Sequence, residues 1–224
     1  MSERHEFRTL GTDVRYDGAI VALRVDEVAM PGGTTARREV VEHHGAVAVV
    51  AVNEQDEIAM VLQYRHPIGR RLLELPAGLL DGGPQESPVE AARRELIEET
   101  GLAAESWQVL VDIDVSPGFT DEALRVYLAS GITEVPQPDP EHEEADMTLH
   151  WVPLDDAVRQ VLSGDIVNAT AAAGILALSA ARSQSIPLRD VDAPWTDRPV
   201  AFASRKSDSS KSDSGKSDSG TGRR

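Results

Sequence analysis

Residues 86–102, Glu-Ser-Pro-Val-Glu-Ala-Ala-Arg-Arg-Glu-Leu-Ile-Glu-Glu-Thr-Gly-Leu, leave the backbone little choice. Ser87 is a natural N-cap, Pro88 suits the first helical position, and Glu90 completes a capping box three residues after Ser87. Val89, Ala92 and Leu96 make an apolar stripe for a core, and Gly101 suits the left-handed conformation that ends a helix. The segment is therefore a short helix with its own start and stop. Glu90 with Arg94, and Arg94 with Glu98, stand at i, i+4, where opposite charges pair.

Glu95, Glu98 and Glu99 stand at i, i+3 and i+4, so all three project from one side of that helix. Like charges so close repel, and a solvated helix normally has lysines among them. Divalent cations remove the repulsion, because magnesium and manganese prefer oxygen ligands. An ordinary exposed helix laced with salt bridges would account for three glutamates alone. It does not account for the whole pattern, which follows Glu74-Leu-Pro-Ala-Gly78.

That pattern resembles the Nudix box. Arg94, Glu95, Leu96, Ile97, Glu98, Glu99, Thr100, Gly101 and Leu102 match it without a mismatch, and Glu86 stands ahead of Arg94 with seven residues between them, as the box requires. One departure is a longer loop. Seven residues rather than five separate Gly78 from Glu86, and the extra length falls in the turn-rich Asp81-Gly-Gly-Pro-Gln85, where insertion costs little.

Charge and composition agree with this reading. The 224-residue chain is 41% hydrophobic, enough for one sizeable core, and carries a net charge of −16. Such a balance argues against nucleic-acid binding by counterion release. It also means that cations must bridge an acidic site to any phosphate substrate. Cysteine is absent, which excludes disulfide and thiolate chemistry and allows a reducing compartment. The N-terminus shows no apolar signal core, and the longest apolar stretch, Val167 to Ala181, is too short to span a bilayer. The expectation is a soluble, cytoplasmic protein with no membrane partner.

The remaining chain alternates between strand and turn patterns. Strands are expected at 6–14 and 19–30 around a Tyr16-Asp17-Gly18 turn, and at 36–43 after Pro31-Gly32-Gly33. Ala46 to Val52 reads as a buried strand, with Ile58 to Arg65 pairing to it across the polar Asn53–Glu57 loop. Further strands are expected at 72–75, 107–115, 123–129 and 147–152, and helices at 154–163 and 167–183. A mixed sheet between helices is an α/β arrangement. The Nudix resemblance implies the same α/β/α sandwich, with an N-terminal antiparallel β extension at 1–43 and a hydrolase domain at 44–203. Residues 204–224, in which Lys-Ser-Asp-Ser recurs every five residues, offer nothing apolar to bury and read as a disordered tail.

The box supplies metals for many nucleoside-diphosphate compounds and does not choose among them. Pro117, fifteen residues after Leu102 in Ser116-Pro-Gly-Phe-Thr-Asp-Glu122, is similar to the mark of ADP-ribose pyrophosphatases, although Pro-Gly is also a common turn. Gln63-Tyr64-Arg65 and the acidic run Asp139-Pro-Glu-His-Glu-Glu-Ala-Asp146 fit the same branch. The resemblance implies magnesium, or manganese, on Glu95, Glu99 and the carbonyl of Ala77. It implies Glu98 and Arg94 in support, Arg65 and Glu74 with Gly118 and Phe119 at the substrate, and Glu144 as general base ahead of Glu143. It also implies a homodimer built through the N-terminal strands. Where relatives carry an aromatic beside the base this chain has Val21, which leaves Tyr16 or Phe119 for adenine. The implied reaction converts ADP-ribose to AMP and ribose 5-phosphate. NADH, a sugar nucleotide or a dinucleoside polyphosphate are alternative substrates, and a sensor that binds ADP-ribose without cleaving it is a different class. The six histidines show no metal spacing, and no P-loop, dinucleotide fingerprint or Ser-His-Asp set is visible.

Overall fold

Ala46-Val-Ala-Val-Val-Ala carries no polar side chain, so a strand made of it must be covered on both faces. The computed structural model describes residues 5–82, 86–139 and 146–206, which form two compact units.

The first unit takes the described parts of Met1–Gly45, Ser116–Glu122 and Arg198–Arg224. Its sheet is β1 (Thr9–Asp17), β2 (Val21–Ala29) and β3 (Thr35–His43), antiparallel in that order. The turn expected at residues 16–18 moves on by about two residues. Asp17 still pairs with Ala22, and Gly18 N–H closes the turn on the Val21 carbonyl at 2.9 Å. A Cβ at Gly18 would meet the Tyr16 ring at 2.5 Å, so glycine makes room for that ring. Residues 201–206 form a helical turn, which includes the first three residues of the stretch read from sequence as tail.

The second unit holds β4 (Ala46–Ala51), β5 (Glu57–Arg65), β6 (Arg70–Glu74), β7 (Ala77–Leu79), α1 (Pro88–Thr100), β8 (Leu102–Asp114), β9 (Ala123–Glu134), β10 (Thr148–Pro153), α2 (Leu154–Ser163) and α3 (Ala169–Ser183). One mixed sheet runs β7-β4-β9-β8, with β4 and β9 parallel; a second, antiparallel sheet runs β10-β5-β6. Side chains along β4 alternate between two cores. Ala46, Ala48 and Val50 pack with Ala171, Ile175 and Leu178 of α3. Val47, Val49 and Ala51 pack with Ala92 and Leu96 of α1 and with Tyr127. This is the expected α/β/α sandwich.

The expected β4–β5 hairpin does not form. A single bridge from Val52 to Ile58 joins the two stretches among the described residues, because β4 is flanked by β7 and β9 while β5 lies between β10 and β6. Asn53 turns the chain out of the first sheet: its Oδ1 accepts the N–H groups of Gln55 and Glu57 at 3.0 and 2.9 Å. β8 and β9 run five residues further than their apolar patterns at the ends where they pair, Leu102 opposite Glu134. Among the described residues, no helix is long and apolar enough to cross a membrane.

Candidate active site

Helix α1 begins and ends as its composition dictates. Ser87 Oγ accepts the Glu90 N–H, and Glu90 Oε2 accepts the Ser87 N–H at 2.8 Å. Gly101 closes the helix at φ 66°, its N–H on the Ile97 carbonyl at 2.9 Å. Ala92 and Leu96 are buried, as the stripe requires. The expected Glu90–Arg94 pair is replaced. Glu90 is committed to the cap, and Arg94 turns to four other carboxylates.

Arg94 is the hub of the site. It donates to Glu86 from Nε at 2.9 Å, and from Nη1 to Glu95 at 2.6 Å and Glu98 at 3.0 Å; Asp81 lies 3.5 Å from Nη2. Glu86, Glu95 and Glu98 raise the guanidinium further above its ordinary value, with the Glu86 hydrogen bond foremost and burial opposing. Despite the longer loop, Glu86 thus reaches Arg94. Its carboxylate folds over Gly82, where a Cβ would stand 2.1 Å from Glu86 Oε2.

The three glutamates divide. Glu95 and Glu99 are each 9% exposed and face β7; Glu98 is more open, beside Arg94. Glu99 Oε2 accepts the Ala77 N–H at 2.9 Å. Glu95 lies so close to β7 that a Cβ on Gly78 would come 1.9 Å from its carboxyl carbon. Burial pushes the Glu95 carboxyl up to about 7, with Arg94 pulling the other way. Among the described residues, no three His, Asp or Glu side chains form a ready-made metal cluster; Arg94 and the Ala77 N–H hold Glu95 and Glu99. The donor chemistry still fits a hard cation: the buried carboxylates of Glu95 and Glu99 both face β7, in a cradle that a Cβ at residue 78 would fill.

The other expected residues are placed as follows. Arg65, at the end of β5, donates from Nε and Nη2 to both oxygens of Glu74 at 3.0 and 2.7 Å. Glu74 therefore grips Arg65, a planar two-point pairing that orients the fork. Glu143 and Glu144 lie outside the described residues, between Asp139 and Asp146; Asp146 pairs with Arg71. Gly118 and Phe119 belong to the first unit. With Val25, Arg37, Arg38 and Glu39 they line a groove of about 590 Å³, and Phe119 is 58% exposed.

Sequence reasoning missed two features. Gly78 entered only as an element of a pattern, yet its missing side chain is what admits Glu95. Arg125 went unremarked within an apolar strand, although a charge inside such a run is a signal. It is 2% exposed, donating to Asp112 at 2.7 and 3.0 Å and to the carbonyls of Ala193 and Pro194 at 2.7 and 3.0 Å, with the Trp195 ring 5.0 Å away.

The family model for the NUDIX domain matches residues 42–172. The chain belongs to the Nudix family. A Nudix relative from Mycobacterium tuberculosis, named ADP-ribose pyrophosphatase, is 54% identical over 91% of this chain and 98% of its own length. A relative from Bacillus methanolicus, named methanol dehydrogenase activator, is 38% identical over 72% of this chain and 86% of its own. The Nudix fold is also similar to a solved structure described as an ADP compounds hydrolase, with a TM-score of 0.69 at 19% identity, covering 82% of this chain and 98% of that one.

Proposed function

We propose that this Nudix chain hydrolyses the diphosphate bond of ADP-ribose, giving AMP and ribose 5-phosphate with magnesium. One observation carries the reading: Glu95 and Glu99 lie buried against β7 beside Arg94, in a chain 54% identical over nearly the full length of a relative named for that activity. Glu95, Glu99 and the Ala77 carbonyl would hold the cation, with manganese the alternative. Once bound, the ion supplies charge neutralisation on the phosphoryl oxygens and lowers the pKa of a water.

The chain's own residues do the rest. Arg94 keeps Glu95 and Glu98 oriented, and Glu98 supports the site without being a direct ligand. Arg65, braced by Glu74, presents a charged fork to the diphosphate. Glu144 accepts the proton of the attacking water as its oxygen forms the new P–O bond and the bridging P–O bond breaks. Gly118 and Phe119 contact the substrate, and the ring of Phe119 suits a nucleobase.

A homodimer formed through the N-terminal strands belongs to this reading. Leu10, Val14 and Tyr16 of β1 and Ile20 in the bend before β2 are exposed, more apolar surface than one outer strand needs. The cytoplasmic setting expected from the sequence belongs to it too. Another nucleoside diphosphate derivative is the second substrate class, and the relative with a different name shows that Nudix chains of this similarity carry more than one title. A pure binder would have no need of Arg94, Glu95 and Glu99 together.

The test is a panel of ADP-ribose, NADH, sugar nucleotides and dinucleoside polyphosphates, incubated with and without magnesium. AMP and ribose 5-phosphate formed only with metal, and fastest from ADP-ribose, is the expected result. Tight ADP-ribose binding without products would replace the enzyme by a sensor.

A further inference from the structure

We propose that Arg205, beyond the matched family region, is a positioning residue for the substrate turn Ser116–Glu122. The proposal rests on the substrate role given above to Gly118 and Phe119. The turn is held along β3 by four hydrogen bonds. Val41 N–H donates to the Phe119 carbonyl at 2.8 Å, Asp121 N–H donates to the Val41 carbonyl at 3.2 Å, and Thr120 Oγ1 donates to that same carbonyl at 2.9 Å. His43 N–H donates to Asp121 Oδ1 at 3.0 Å. Every one of these contacts is made by Val41 or His43, the neighbours of Glu42.

Glu42 is the stressed member of this stretch. Its side chain is 2% exposed and needs cations to justify burying a carboxylate. Arg24 donates to its Oε1 at 2.5 Å, and Arg205 donates to its Oε2 from Nε at 3.0 Å and Nη2 at 2.5 Å. Arg24 has further obligations: it donates to Asp26 at 2.9 Å and stands 3.9 Å from Asp121. Three carboxylates thus share two guanidiniums. Without Arg205, Arg24 alone would face all three, and the buried Glu42 charge would draw it away from Asp121. The Asp121 carboxylate that caps His43 N–H would lose its counter-charge, and the turn carrying Phe119 would lose its fixed register against β3.

The segment that delivers Arg205 is built to hold it there. Phe202 is fully buried with its ring edge-on to His44 at 4.5 Å, and Lys206 donates to Asp17 at 2.5 Å while lying 5.0 Å over the Phe202 ring. An apolar anchor and a second ion pair therefore flank the arginine on its short helical turn.

The experiment compares the full-length protein with Arg205→Ala and Arg205→Lys by amide hydrogen exchange and by ADP-ribose kinetics with magnesium. Arg205→Ala should speed exchange at the Val41, Phe119 and Asp121 amides by about 10-fold or more while leaving β4 amides unchanged, and should raise KM by a similar factor with kcat nearly constant. Arg205→Lys keeps the charge and should recover part of both effects. In a Glu42→Gln background, Arg205→Ala should add little. Unchanged exchange at these three amides, or exchange rising equally in every strand, would overturn the proposal. The exchange result does not depend on the substrate, so a wild-type protein that fails to cleave ADP-ribose would sink the functional reading and leave this test intact.

Discussion

The carboxylate of Glu95 lies in the space that a side chain at Gly78 would occupy, 1.9 Å from where its Cβ would stand. Gly78 has no positive φ, so it is the missing side chain and not backbone freedom that matters there. Gly78→Ala should leave α1 intact, since its cap and apolar stripe are untouched, but push the Glu95 carboxylate away from β7. Magnesium affinity and turnover should fall by about 10- to 100-fold, the cost of disturbing a ligand's support. Calorimetric titration of magnesium, with circular dichroism to show the retained fold, checks this.

Glu95 also sets a pH dependence. Burial pushes its carboxyl from the ordinary 4.5 up to about 7, so the folded metal-free protein binds a proton that the unfolded chain has released. For an acid with a raised pKa, stability falls as pH rises from 4.5 to about 7 and then levels off. Metal-free protein should therefore have a higher Tm at pH 6 than at pH 8, and magnesium should raise Tm more at pH 8, where the carboxylate is already bare. Thermal melts at both pH values with and without magnesium measure it; a metal-free Tm flat across this range would contradict the assignment.

Asp112 behaves in the opposite sense. Burial pushes its carboxyl up, but hydrogen bonds from Arg125 and Arg189 outweigh this and hold it below the ordinary 3.8. The stability it contributes is present above that value and is lost as pH falls through the lower folded pKa. Asp112→Asn leaves the buried Arg125 without its counter-charge and should cost roughly 3 kcal/mol at pH 7. The gap to wild type should start to narrow only as pH falls below the ordinary 3.8, and close below the lower folded pKa. Denaturant titrations at pH 7 and at a series of pH values descending from 3.8 measure both the cost and the closing of the gap.

Glu144 is a prediction about chemistry alone, since residues 140–145 lie outside those described. Glu144→Gln should retain magnesium binding and folding while turnover drops about 10²-fold or more, the scale of a lost general base. Near-wild-type turnover in that variant, with Glu143→Gln slow, would move the role one residue back.

Helix α1 could be read whole from its own residues, because caps, stripe and stop depend on neighbours three or four positions away. For the same reason the Arg94–Glu98 pair and the inward face with Ala92 and Leu96 were legible. The Glu90–Arg94 pair was misjudged, since two local devices competed for one carboxylate and the cap won. In β4 the apolar run announced two covered faces, and the sandwich follows from that. What it could not announce was the strand alongside: period-two patterning counts buried faces but carries no label for a hydrogen-bonding partner. Hence β9, not β5, lies beside β4. The contacts that shape the site are of this second kind. Gly78 opens room for Glu95 on a separate element, and Arg205 meets Glu42 across 163 residues of chain. Residue type determined which groups could do the chemistry. Only the folded backbone decided which carboxylates were stripped of water and which arginines stand against them, because burial and distance are properties of packing and not of order along the chain.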